Sequence, residues 1–132
     1  MKKHCKGLGH IAIYTKDIGQ SIAFYEKIGG KLHKSETLSV PEGEKRLALV
    51  EFAGILLEFI QPPITETWEE GVISHFAVYV DDVDAAVEEL KTVGVDTFIG
   101  MEKKVLPHLF GGLENRFFTG PSGEKIELLK ML

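Results

Sequence analysis

The chain has a single cysteine, Cys5, among 132 residues, so it cannot form an internal disulfide. That absence points to a fold held by an apolar core and to a reducing, cytoplasmic compartment. Long apolar runs are missing too. The most apolar stretches, such as residues 55–60 around Glu58, are strand-sized, well short of the roughly 20 residues that a membrane helix needs. The basic opening Met1-Lys2-Lys3-His4-Cys5-Lys6 leads into no apolar signal-peptide core. Positive charge is also scarce. With 15 Lys and Arg against 20 Asp and Glu the net charge is -5, and no cationic face is available to follow a nucleic-acid backbone. The expected partner is therefore a small molecule, with neither nucleic acid nor membrane.

Apolar residues make up 44% and charged residues 27% of the chain, an ordinary balance for a domain with a real core. The informative feature is a repeat. Gly9-His10-Ile11-Ala12-Ile13-Tyr14 matches Ser74-His75-Phe76-Ala77-Val78-Tyr79, and Asp17 matches Asp82, all at a step of 65 residues. Both segments alternate apolar with small or polar residues, which predicts a strand. His10, Ala12 and Tyr14 then share one face, as do His75, Ala77 and Tyr79. Downstream, Ile18, Ile22, Tyr25 and Ile28 match Val83, Val87, Leu90 and Val93 at helical spacing. Asp17 and Asp82 stand where N-caps belong, with Gln20 placed for a capping box, and Gly29 and Gly94 where helices end. Tyr14 and Tyr79 are expected to pack rather than to line a cavity.

A second match joins Gly54-Ile55-Leu56-Leu57-Glu58-Phe59-Ile60 to Gly123-Glu124-Lys125-Ile126-Glu127-Leu128-Leu129 at a step of 69. The change of step implies four inserted residues, most simply in the loop before Leu113. Residues 31–38 and 47–52 complete the first copy as strands, and 96–99 and 115–119 the second, with 100–112 as an irregular loop. The expected organisation is α+β, one domain made of two βαβββ modules, 7–61 and 71–132. The Pro62-Pro63 linker, 62–70, lies between them.

Both copies place a histidine on the first strand and a glutamate on the last, each with apolar neighbours facing the other way. His10, Glu58, His75 and Glu127 then converge on the side of the sheets opposite the helices. Two carboxylates buried together are costly unless a cation offsets them, and two imidazoles with two carboxylates suit a first-row divalent metal. Small Ala12 and Ala77 leave room beside them. Ni(II), Co(II), Mn(II) and Zn(II) all suit two nitrogens and two oxygens.

At these residues the chain resembles the vicinal oxygen chelate superfamily, which includes glyoxalase I, methylmalonyl-CoA epimerase, extradiol dioxygenases, and fosfomycin and bleomycin resistance proteins. The segments that carry the likeness are 9–13, Ser21-Ile22-Ala23-Phe24-Tyr25, 74–78 and 120–128. The resemblance implies paired modules whose mixed sheets curl into a cup around the metal, and a homodimer. Its glyoxalase I ligand pattern falls on His10, Glu58, His75 and Glu127. It further implies a lyase that converts a hemithioacetal of a 2-oxoaldehyde such as methylglyoxal, formed with glutathione or another small thiol, to a 2-hydroxyacyl thioester through a metal-stabilised enediolate. Glu127 is the implied base and Glu58 the second carboxylate.

Where such enzymes commonly offer an arginine soon after the first helix, this chain reads Lys31-Leu32-His33-Lys34. Lys103, Lys104, His108 and Arg116 are the candidate clamp for an anionic substrate tail. The alternatives are a methylmalonyl-CoA epimerase-like enzyme, or a non-catalytic protein that binds an antibiotic or another small molecule.

Overall fold

In the computed structural model, which describes Lys3, residues 10–63 and residues 75–132, the sequence repeat becomes two βαβββ units, Met1–Thr65 and Glu66–Leu132. The first runs β1 (Ile11–Tyr14), α1 (Ile18–Lys27), β2 (Lys31–Val40), β3 (Gly43–Phe52) and β4 (Ile55–Gln61). Its strand order is β1-β4-β3-β2, with β1 parallel to β4 and the other pairs antiparallel. The second runs β5 (His75–Tyr79), α2 (Val83–Thr92), β6 (Phe98–Leu106), β7 (Leu113–Thr119) and β8 (Lys125–Met131), in the order β5-β8-β7-β6. The class is α+β, with a mixed four-stranded sheet in each unit. Most of the expected linker falls on residues 64–74, outside the described residues.

Both helices start at the predicted N-caps, but the Asp17 amide donates to Thr15 Oγ1 at 3.1 Å and not to the Gln20 side chain of the expected capping box. The Asp17 carboxylate accepts from the Gln20 amide and the Asp82 carboxylate from the Ala85 amide, each at 3.0 Å, meeting one of the first-turn donors that a helix leaves unpaired. Past the helix ends, Gly29 and Gly94 take φ values of 111° and 91°, which a residue with a Cβ adopts only under strain. The α1 start is also tied to the sheet, because Gln61 Oε1 accepts from the Ile18 amide at 2.7 Å.

Each helix covers one face of its own sheet. In the first unit Ile18 and Tyr25 are buried with Val50, Leu57 and Phe59, and the Tyr25 ring lies 5.1 Å from that of Phe59 and 5.5 Å from that of Phe52. In the second, Val83 and Val87 are buried with Phe118, Ile126 and Leu128. Because strand side chains alternate, the face of each sheet that its helix does not cover can carry polar residues beside apolar ones.

Residues 100–112 are not the loop that the sequence suggested. β6 continues to Leu106, with a register shift between Ile99 and Lys104. Pairing resumes as Lys104 with Asn115, Val105 with Glu114 and Leu106 with Leu113. Comparison with the pairing of Lys34 with Leu49 and Glu36 with Leu47 puts three of the four inserted residues in this bulge. The fourth lies in the β7–β8 turn. Periodicity missed the strand because the bulge breaks the two-residue alternation midway.

Candidate functional site

The parallel β1–β4 pairing sets Ala12 beside Glu58, with His10 two residues earlier on the same side. His10 Nε2 lies 3.6 Å from Glu58 Oε1, and the Glu58 side chain remains 22% exposed. Across the sheet, Glu58, Leu49 and Lys34 form one register row. They line a cleft of about 270 Å³ together with Glu36 and Leu47. Sequence reading found no role for Lys34, whose neighbours in space are set by pairing across three strands.

The second unit repeats the arrangement with one difference. Ala77 is registered with Glu127, and His75 Nε2 lies 3.2 Å from Glu127 Oε1. Here the glutamate side chain is only 12% exposed. Asn115 Nδ2, on β7, donates to Glu127 Oε2 at 3.3 Å. Phe117, registered with Glu127, meets the His75 ring edge-on at 5.2 Å. In the first unit the corresponding register positions hold Leu47 and Leu49. Asn115 was absent from the sequence-derived site. The available signal was a polar residue on the Leu113, Asn115, Phe117 face of an otherwise bulky strand.

Tyr14 and Tyr79 share the faces of their histidines, and are 54% and 77% exposed rather than packed. The four expected clamp residues separate. Lys104 pairs with Asn115 and so belongs to the Glu127 face, and His108 is an exposed residue beyond β6. Lys103 and Arg116 take the opposite, helix-covered face. Arg116 Nη2 donates to the Gly100 carbonyl at 3.0 Å, and its guanidinium lies 4.9 Å from the centre of the Phe98 ring, so it braces the β6 bulge.

Lys103 Nζ sits 3.0 Å from Glu114 Oε2 and 3.3 Å from Asp84 Oδ2, joining β6 and β7 to α2. Hydrogen bonds to Glu114 and then Asp84 raise its pKa above 10.5. Protonated Lys103 is thus favoured by folding. Its contribution is complete below 10.5 and fades as pH rises through the higher folded-state value. Lys103→Ala is expected to lower the melting temperature by a few degrees at neutral pH and to leave metal uptake unchanged, measured by thermal melting and metal analysis. A loss of substrate affinity with no change in melting would return Lys103 to the clamp.

Each unit thus offers one imidazole nitrogen and one carboxylate oxygen close together. Among the described residues no group of three or more His, Cys, Asp and Glu side chains forms a cluster for an ion. The donor chemistry nevertheless suits a divalent metal. Each pair combines a borderline nitrogen ligand with a hard oxygen ligand, and the largely buried Glu127 carboxylate is a place where positive charge is favourable.

Residues 7–128 match the model of the Glyoxalase/Bleomycin resistance protein/Dioxygenase superfamily. The chain belongs to that superfamily. Among relatives of this superfamily member, the uncharacterized protein YwbC of Bacillus subtilis is 30% identical over 128 residues, 95% of this chain and 98% of that protein. Human mitochondrial methylmalonyl-CoA epimerase is 30% identical over 92 residues, which are 64% of this chain and 52% of the epimerase. A fosfomycin resistance protein from Listeria monocytogenes, solved with Mn(II) and sulfate, has the same fold with a TM-score of 0.67 at 20% identity, covering 97% of this chain and 94% of that one. Among the described residues no helix is long and apolar enough to cross a membrane.

Proposed function

We propose that this superfamily member is a metal-dependent lyase of the glyoxalase I type, which moves a proton between adjacent carbons of a 2-oxoaldehyde–thiol hemithioacetal. The observation that carries the reading is the repeated pair: a first-strand histidine beside a last-strand glutamate, His10 with Glu58 and His75 with Glu127, at matching positions of both units. These four residues are the proposed metal ligands, with one divalent ion per site. Such an ion supplies Lewis-acid stabilisation of negative charge on substrate oxygens.

The carboxylates handle the proton. Of Glu58 and Glu127, one takes the proton from a substrate carbon, and a protonated carboxyl group then delivers a proton to the adjacent carbon. Ala12 and Ala77 keep space open beside them, and Lys34 and Lys104, on the same faces as the glutamates, are the cations for an anionic thiol tail. Glutathione or another low-molecular-weight thiol is the co-substrate. A cytoplasmic homodimer completes the proposal.

The likeness to methylmalonyl-CoA epimerase favours one second reading, inversion at the carbon next to an acyl-CoA carbonyl. It needs the same carboxylates and the same ion. One experiment separates the two. The purified protein is analysed for metal, loaded in turn with Ni(II), Co(II), Mn(II) and Zn(II), and assayed with methylglyoxal plus several thiols and with methylmalonyl-CoA. Thioester formation supports the lyase and epimerisation the second reading. Stoichiometric metal with neither activity leaves a binding protein, and no uptake of any ion ends the metal-site reading.

A further inference from the structure

The histidine–glutamate pairs of the two units are alike in their residues and unlike in what holds them. Glu127 is gripped at both oxygens, Oε2 by Asn115 Nδ2 at 3.3 Å and Oε1 facing His75 Nε2 at 3.2 Å. Glu58 has its histidine at 3.6 Å and leucine where Asn115 would stand, and it lines an open cleft.

The carboxamide also has only one sensible orientation. Turned over, it would set Oδ1 against a carboxylate oxygen, so Nδ2 must point inward, and Oδ1 is left buried without a donor. A buried acceptor in that state is destabilising. Leu47 fills the equivalent register position in the first unit, so packing there can be met by an apolar side chain. The amide therefore costs stability and returns a fixed carboxylate.

We infer that Asn115 is a positioning residue that holds the Glu127 carboxylate in one rotamer for metal binding. This inference rests on the metal-site reading above.

The test is a double-substitution cycle on the full chain, with Asn115→Leu, Glu127→Gln and the double variant. Affinity for Ni(II) and Co(II) is measured by competition with a chromophoric chelator, and the melting temperature is measured without metal. Asn115→Leu is expected to weaken metal binding by about 10–100-fold, the usual loss for a residue that orients a ligand. The metal-free melting temperature should hold or rise, which a purely structural role does not allow. In the Glu127→Gln background the same change should have no further effect. An equal loss in both backgrounds, or unchanged affinity in the single variant, overturns the inference while leaving the metal site standing. If the leucine variant does not fold, Asn115→Ala closes the same cycle. No metal uptake by the unaltered protein overturns the metal-site reading and this inference together.

Discussion

Glu127→Gln is expected to weaken divalent-metal affinity by more than about 100-fold, beyond the 10–100-fold typical of residues that act only through a ligand. Turnover should be lost with it. The reason is local: Glu127 is the less exposed of the two glutamates, and both of its oxygens are already directed by the groups around it. The substituted carboxamide keeps the size and a carbonyl oxygen but has no charge to offer an ion. The protein should remain folded, because an amide at this depth is cheaper to bury than a carboxylate. Chelator competition and far-ultraviolet circular dichroism check the two halves of the expectation. Near-normal metal affinity would remove Glu127 from the ligand set.

Glu58→Gln should separate binding from chemistry. Turnover is expected to fall by about 10²–10⁴-fold, the usual contribution of a placed acid or base. Metal affinity should fall at least about tenfold less than in Glu127→Gln, because Glu58 lacks a second side chain to hold it in a binding rotamer. Turnover rate, metal affinity and incorporation of solvent deuterium into the substrate carbon decide the matter. If Glu58→Gln keeps its turnover, the expectation from family resemblance stands and Glu127 is the base.

Much of this was legible in the amino acids. Each histidine and glutamate lies in a short segment with undisturbed alternation, and the constant step from His10 to His75 carries the face of one copy over to the other. The helix caps were readable because Asp17 and Asp82 act within a single turn. What escaped depends on pairing between distant strands. Asn115 is 12 residues from Glu127 and becomes its neighbour only through the β7–β8 register. Lys103 and Lys104 are adjacent in sequence, yet one meets the helix and the other the open face. Four residues at a register break shifted which one faced which way. A pattern read along one strand cannot supply that information.

The irregularity in β6 has a further consequence at the borders of its sheet. In each unit the outermost strands are β1 and β2, or β5 and β6. β1 and β5 are only 4 and 5 residues long, while β2 and β6 both carry a break in register, at His33 and at 100–103. Short or kinked borders make poor templates for backbone hydrogen bonding by a stray chain. Met101, 94% exposed, rides on the kinked part of its strand, where a long apolar side chain is least able to seed intermolecular sheet growth.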